Sequence, residues 1–460
     1  MQRLTPNELR GTRAVVLGLG RFGGGAGAVR FLAGRGAGVT VVDRGDAEAL
    51  RASLDGLEDV RGVTYRLGPA AEAEAAGMDF ASEVDYVVAN PAVRPDHPVL
   101  AAAGAAGVAV TTEVGLLIER LPAGVVTIGV TGTAGKSTTA AMIGHALTKR
   151  SDRPVRVGGN LGGSLLAELD ATGADDWLVL ELSSFMLHYL RPMRWSPRVA
   201  VLTNFAANHL DWHDTLEAYR RDKQTIFDFQ SDERGDAAIG GPGMGEPFDF
   251  KVARFAVLPR EPSDAAPPFE LVLPGEHNRV NARLAALAVE AATGLDEAET
   301  LAALADFAGL PHRLQLVVEH SGVRFFNDSK STTPESAMRA IDAFEPGTVH
   351  AILGGYDKGV DLGPLARLAA SRCRAVYCIG ETGGAIAAAA SSREGPDAEA
   401  EVLVCGELEA AVEAVVARAR PGEAAVLTPG CASWDRFDHF ERRGEAFTEA
   451  VIRWTTETGA

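Results

Sequence analysis

The chain has 460 residues, 46% of them hydrophobic and 6% aromatic, enough for about three domains with a core in each. Its 62 acidic against 44 basic residues give a formal charge of −18, which argues against a nucleic-acid surface and leaves phosphate binding to local features. Cys373, Cys378, Cys405 and Cys431 show neither zinc spacing nor a disulfide framework; no run of roughly 18 apolar residues suggests a membrane span, and Met1–Pro6 lacks a signal peptide's apolar stretch, so a reducing cytoplasm is expected.

Apolar runs bounded by glycine alternate with helical patterns, the rhythm of strand–helix–strand units on a parallel sheet. Ala14-Val15-Val16-Leu17 leads into Gly18-Leu19-Gly20-Arg21-Phe22-Gly23, and the run 39–42 ends at Asp43. A G-x-G-x-x-G loop after a strand, with an acid about 20 residues on, is a dinucleotide fingerprint. Taken alone it suggests NAD, or simply a glycine turn packing a helix on a strand. A second and stronger nucleotide loop follows, so a nucleoside diphosphate is the sharper expectation here. The run 84–89 ends at Asn90-Pro91, and 97–121 reads as a helix, a short strand and a closing helix. Pro122-Ala123-Gly124 then marks a boundary, giving a first domain over 1–122.

A strand over 125–130 opens the second unit and runs into Thr131-Gly132-Thr133-Ala134-Gly135-Lys136-Ser137-Thr138-Thr139. Glycines let backbone N–H groups approach an anion, a lysine reaches the outer phosphates, a hydroxyl can hold Mg²⁺, and a helix start adds its positive end. Val130 stands where the strict Walker A pattern needs glycine, so the fit is to a shorter phosphate loop. Glu181 closes the strand 177–181 and is followed by Leu182-Ser183-Ser184-Phe185; a carboxylate there can meet Mg²⁺ directly or through water. After the strand 199–203 come Asn204 to His213, where His209 would converge on the same sheet edge. Lys223, in the helical stretch Tyr219–Phe227, reads on its own as a solvated lysine. Residues 231–268 read as irregular structure or edge strands, and 278–308 as a helical hairpin, so the central domain spans 123–310.

The third domain, 311–460, has strands at 323–327, 349–353, 375–379 and 424–428 with Ala-rich helices between them, as in another doubly wound sheet. Asn327-Asp328-Ser329-Lys330-Ser331-Thr332-Thr333, Gly354-Gly355-Tyr356-Asp357-Lys358-Gly359 and Pro429-Gly430-Cys431-Ala432-Ser433-Trp434-Asp435 each follow one of these strands. Three polar strand ends in one sheet suggest a second half of an active site.

Together these segments resemble the Mur ligases of peptidoglycan synthesis, over nearly the whole chain. The resemblance rests on Gly132–Thr138, on Glu181-Leu-Ser-Ser-Phe, on Gly275-Glu276-His277-Asn278, on Leu310-Pro311-His312-Arg313, on Asn327-Asp-Ser-Lys-Ser-Thr and on the stretch from Pro429 to Phe447. The last two are similar to the signatures of a glutamate-adding member. The resemblance implies an α/β chain of three domains: a Rossmann-like N-terminal domain, a P-loop-type central ATPase domain and a Rossmann-like C-terminal domain. It implies catalytic roles for Lys136, Glu181, His209, Lys223 and Lys330, and ATP contacts from Gly132, Thr133, Ala134, Gly135, Lys136, Ser137, Thr138, Asn278, Arg313 and Asp328. Two Mg²⁺ sites are implied, drawing on Ser137, Glu181, His209 and Lys223, the last as a carbamylated lysine, since a CO₂ adduct turns an ammonium into a carboxylate. Gly20, Arg21, Phe22, Asp43, Asn90 and Asn160 would hold the UDP substrate, and Thr332, Lys358, Ser433 and Phe440 the incoming glutamate, with Lys330.

The implied reaction joins UDP-N-acetylmuramoyl-L-alanine to D-glutamate with ATP, through an acyl phosphate, in a cytoplasmic monomer that binds no nucleic acid. The alternatives are an L-glutamate-adding variant and a catalytically idle partner subunit of the same family. The chain departs from the family pattern at Arg21-Phe22, at Asn90-Pro91-Ala92, at Met186 (often Gln) and at Asn208 (often Asp), mostly on the UDP side. Arg21 is expected to contact the diphosphate in compensation.

Overall fold

The computed structural model describes residues 9–20, 23–242, 248–259, 269–391 and 400–457. Three sheets organise them. The first holds β1 (Arg13–Leu17), β2 (Gly38–Asp43), β3 (Val63–Leu67), β4 (Tyr86–Ala89) and β5 (Ala109–Thr111), all parallel, in the order β3-β2-β1-β4-β5. Alternate residues of β1 serve two cores. Ala14 and Val16 pack with Ala28, Val29 and Leu32, while Val15 and Leu17 pack with Ala71, Val99 and Ala103. A strand covered on both faces reads as an unbroken apolar run, which is why β1 and β4 are conspicuous in the sequence.

The central sheet contains β6 (Val126–Thr131), β7 (Val155–Gly159), β8 (Trp177–Glu181), β9 (Val199–Leu202), β10 (Ala237–Gly240) and β11 (Phe255–Val257), again all parallel, in the order β11-β10-β9-β6-β8-β7. β6 lies between β8 and β9, with Val130 opposite both Glu181 and Val201. The loops that follow these three strands therefore leave one sheet edge side by side, where open α/β sheets bind ligands. The stretch 231–268, expected to be irregular or at most edge strands, contributes β10 as a fully buried interior strand and β11 at the edge. Four and three residues long, they are too short to show a period. Its segments 243–247 and 260–268 lie outside the described residues. The expected helical hairpin is Glu276–Thr293 followed by Glu297–Ala303.

The third sheet has the order β12-β13-β17-β14-β15-β16, from β12 (Gln315–His320), β13 (Val323–Asn327), β14 (Val349–Gly354), β15 (Ala375–Ile379), β16 (Glu401–Gly406) and β17 (Ala424–Leu427). The sheet is doubly wound as expected, with β12 added as an antiparallel edge strand that the sequence reading did not include. β12 pairs with β13 through a tight turn at Ser321-Gly322, both at positive φ. Its residues are half-buried to exposed, so it lacks the apolar run of a central strand. β13, β17 and β14 are neighbours, which gathers the loops beginning at Asp328, Thr428 and Gly355 on one edge. The chain divides into two compact units, Met1–Pro268 with Val280–Ala303, and Phe269–Arg279 with Leu304–Ala460. The first two sheets belong to the former and the third to the latter. The four cysteines are free, and among the described residues no helix is long and apolar enough to cross a membrane.

Candidate active site

The phosphate loop is built against its neighbours as tightly as its composition suggests. Gly132 has φ 150°, and a Cβ there would lie 1.9 Å from Thr203 Oγ1; Gly135 has φ 81°, and a Cβ there would lie 2.5 Å from Asn281 Oδ1. Only glycine fits either place. Asn204 Oδ1 accepts the backbone N–H groups of Thr133 (3.1 Å) and Ala134 (2.9 Å), and its amide donates to Ala134 O. Gly135 caps the helix Lys136–Arg150, whose first turn holds Lys136, Ser137 and Thr138, and Lys136 Nζ donates to Thr133 O at 3.1 Å. Asn204 and Asn281 were not singled out in the sequence. The signal was there: Asn204 lies two residues beyond β9, and Asn281 sits one helical turn from Asn278 on the same helix.

Glu181, at the end of β8, is 2% exposed. Its Oε1 accepts from Asn160 Nδ2 at 3.0 Å, and its Oε2 has no hydrogen-bond partner among the described residues. Lys223 is not the solvated lysine its helical context suggests. It is 1% exposed, donates to Gly132 O at 2.7 Å and lies 4.8 Å from the Tyr219 ring centre. Burial, and then the charge of Lys136, pull its pKa well below the ordinary 10.5, against the attraction of Glu181. The amine therefore gives up its proton more readily than a solvated lysine would. His209, exposed and at φ 52°, caps the short helix Leu210–His213 and sits 4.9 Å from the Phe185 ring. Desolvation first, and Lys136 second, lower its pKa below 6.5, leaving a neutral imidazole able to ligate a cation.

A buried polar chain ties together the segments that carry these three groups. His213 Nε2 meets Ser184 Oγ at 2.9 Å, three residues beyond Glu181; His213 Nδ1 and His188 Nδ1 both meet Asp222 Oδ2, at 3.0 and 3.1 Å, one residue before Lys223. His213 lies on the short helix that His209 caps.

A cleft of about 270 Å³ opens in the same unit, lined by Gly18, Asn90, Glu113, Asn160, Phe185 and Met186 among others. Asn160 brings the cleft to Glu181. Asn90 packs against the glycine loop, so that a Cβ on Gly18 or Gly20 would lie within 2.9 Å of its side chain. Asp43, expected to contact the ligand, spends its carboxylate on the loop itself: Oδ2 accepts from Leu19 and Gly20 N–H at 2.8 and 3.3 Å, and Oδ1 from Gly45 N–H at 2.8 Å. It shapes the turn rather than projecting from it. Arg21 and Phe22 lie outside the described residues, and with them the expected diphosphate contact.

Glu113 accepts a hydrogen bond from Ser164 Oγ at 2.5 Å, and burial pushes its carboxyl up to about 7 from 4.5. The unfolded chain releases that proton first as pH rises from 4.5 to 7, so folding stability falls across this window and stays lower above it. Glu113→Gln keeps an acceptor for Ser164 and removes the titration. Thermal melts should show the variant gaining on the parent between pH 4.5 and 8, by up to about 3 kcal/mol. Parallel pH profiles for the two proteins would refute this.

In the second unit, Lys330 Nζ lies 5.3 Å from the Phe440 ring centre. Lys358 Nζ lies 5.3 Å from that of Trp434 and donates to Thr332 O at 3.5 Å. Ser433, 2% exposed, stands beside Trp434, an exposed aromatic that the sequence reading passed over. Asp328, expected as an ATP contact, is occupied locally: it accepts from Leu314 N–H and Thr428 Oγ1, both at 3.0 Å, and from Ser331 Oγ, and burial raises its pKa to about 6. Asn278 is buried and donates to Pro274 O, while Arg313 is exposed.

A phosphate loop braced at the edge of a parallel sheet, with a carboxylate and a lysine amine buried beside it, makes this a nucleotide-binding α/β protein. More particularly, the chain belongs to the Mur ligase family. Family models match a MurD-like N-terminal domain at residues 12–112, the Mur ligase middle domain at 130–239 and the Mur ligase glutamate ligase domain at 312–431. The UDP-N-acetylmuramoylalanine–D-glutamate ligase of Acidobacterium capsulatum is 35% identical, with 97% of each chain covered, and that of Roseiflexus sp. is 36% identical, over 97% of this chain and 100% of the relative. Among solved structures, the UDP-N-acetylmuramate-alanine ligase MurC of Thermotoga maritima aligns with a TM-score of 0.53 at 20% identity, covering 97% of this chain and 99% of that one. The MurF ligase of the same organism in complex with ADP aligns with a TM-score of 0.51 at 18% identity, over 82% and 92%. At such identities the likeness is one of fold.

Proposed function

We propose that the chain is a monomeric cytoplasmic ligase that adds D-glutamate to UDP-N-acetylmuramoyl-L-alanine with ATP, through an acyl phosphate, in peptidoglycan precursor synthesis. The observation that carries this reading is the braced loop Gly132–Thr138 with buried Glu181 and Lys223 beside it. Relatives named for this reaction match along nearly the whole chain and support it.

A carboxylate does not accept an amine at neutral pH. Transfer of the γ-phosphoryl group onto the alanyl carboxylate oxygen releases ADP and leaves an acyl phosphate. The glutamate nitrogen then attacks the acyl carbon, and phosphate departs. In this reading the loop N–H groups and Lys136 hold the β- and γ-phosphates and neutralise developing charge, which is most of what phosphoryl transfer asks of a protein. The cleft beside Gly18, Asn90 and Asn160 takes the UDP substrate in the domain 1–122, and the central domain 123–310 carries the ATP loop. Asn278 and Arg313 add ATP contacts, with Asp328 bracing the loop after β13, and Lys330, Thr332, Lys358, Ser433 and Phe440 hold the glutamate, in a domain over 311–460 that supplies cations for an anionic amino acid.

The residues fit Mg²⁺. The unpartnered Glu181 Oε2 and the Ser137 hydroxyl are hard oxygen donors, and the His209 imidazole is neutral. Glu181, Ser137, His209 and a carbamate on Lys223 would hold two such ions, which neutralise phosphate charge when bound. A neutral amine is the form that adds CO₂, losing a proton and becoming an anionic carbamate, and the burial that lowers the Lys223 pKa favours that form.

Phosphate release by the purified chain tests the reading. With Mg²⁺, bicarbonate, ATP and UDP-N-acetylmuramoyl-L-alanine, release should require D-glutamate. Equal release with L-glutamate would move the assignment to the L-isomer, and no ATP turnover with either would end it.

A further inference from the structure

Arg443, on the helix Phe440–Glu457, is the largest fully buried side chain of the described residues, 1% exposed. Its guanidinium reaches three loops. Nε donates to Ser329 Oγ at 3.0 Å and Nη2 to Ser329 O at 2.9 Å, in the loop after β13. Nη1 donates to Ala432 O at 3.0 Å and Nη2 to Cys431 O at 3.1 Å, in the loop after β17. A Cβ on Gly355, in the loop after β14, would lie 3.0 Å from Nη1. Ser329 Oγ in turn donates to Phe440 O at 2.8 Å. One side chain thus joins the segments that carry Lys330 and Thr332, Lys358, Ser433 and Phe440.

Every acceptor Arg443 uses is a neutral oxygen, and no carboxylate among the described residues lies within ion-pair distance of it. Buried arginines ordinarily bring a carboxylate with them, because an unpaired charge is costly to desolvate. Burial pulls this one down to about 10. A tie between three loops does not need a charge, since neutral donors bond carbonyls as well. A site for an amino acid with two carboxylates gains from one.

We propose that Arg443 is a positioning residue for the acidic amino-acid substrate: it bonds the loops after β13 and β17, packs against the loop after β14, and lends them a positive charge that no carboxylate pairs directly, Asp435 acting on it only at longer range. The proposal rests on the glutamate-adding reading above. The test is steady-state kinetics of Arg443→Lys, Arg443→Met and Ser329→Ala, varying each substrate in turn, with thermal melts alongside. KM for glutamate should rise about 10- to 100-fold in Arg443→Met and less in Arg443→Lys and Ser329→Ala, with kcat and the KM values for ATP and the UDP substrate within about threefold of the parent. If Arg443→Met does not fold, the Lys and Ser329→Ala variants carry the same comparison. A folded variant with the parent's KM for glutamate, or with all three KM values raised together, would overturn the proposal and leave Arg443 a purely structural tie. Failure of the parent itself to use glutamate would instead sink the functional reading, in the same assay.

Discussion

Lys223→Ala should lower kcat/KM by roughly 10²- to 10³-fold or more, the scale of removing one preorganised charge-stabilising group from an active site. The expectation comes from where the amine lies. It touches the carbonyl of Gly132, beneath the phosphate loop, and its charge is suppressed by burial and by Lys136. A permanently charged lysine would be poorly placed there; a carbamate, one negative charge on a longer arm, answers the positive charges around it. Four controls separate that chemistry from packing. Lys223→Met keeps an unbranched apolar stem and should keep the melting temperature while losing activity. Lys223→Arg keeps a cation that cannot take up CO₂ and should be equally inactive. Removing CO₂ from the parent should depress turnover and added bicarbonate should restore it, with no response in any Lys223 variant; acetate, a free carboxylate, should partly rescue Lys223→Ala. Full activity in Lys223→Arg would rule the carbamate out.

What could be read from the sequence, and what could not, follows from the range of the signals. The phosphate loop was legible because its demands are local: Gly132 and Gly135 are required by contacts at 1.9 and 2.5 Å, and a lysine at the head of a helix announces itself. The strands carrying Glu181, Asn327 and Leu427 were legible because burial on both faces writes an apolar run. The burial of Lys223 was not, since the helix Leu216–Asp228 shows charge all along it and only the packing of Tyr219 and the loop above decides which face is inside. Asp43 and Asp328 were read as ligand contacts, but a composition cannot say whether a carboxylate faces a ligand or its own backbone; in the structure both accept backbone N–H groups. Arg443 was invisible for the opposite reason: in Phe440-Glu441-Arg442-Arg443 it is one charge among several, and its three partners lie in loops that only the sheet order brings together.

Gly132→Ala should abolish ATP turnover to within roughly 10²- to 10³-fold of the parent or below, and by a different route from Lys136→Ala. The alanine methyl would sit 1.9 Å from Thr203 Oγ1 and 3.2 Å from Asn204 N, at a φ of 150° that side chains rarely adopt. The loop must lift from β9. That breaks the bonds from Thr133 and Ala134 to Asn204 and shifts the Gly132 carbonyl that receives Lys223. Stability should drop together with activity. Lys136→Ala removes the side chain proposed to meet the outer phosphates and leaves the loop braced, so its melting temperature should stay near the parent's while ATP turnover falls comparably. Adding Thr203→Ala to Gly132→Ala removes the clashing oxygen but not the backbone strain; the double variant should recover part of the lost stability, a coupling that distant sites do not show. Affinity for the UDP substrate, measured without ATP, should be unchanged by Lys136→Ala. Wild-type turnover in Gly132→Ala would mean that this loop is not where the phosphates lie, and the roles given to Lys136 and Lys223 would go with it.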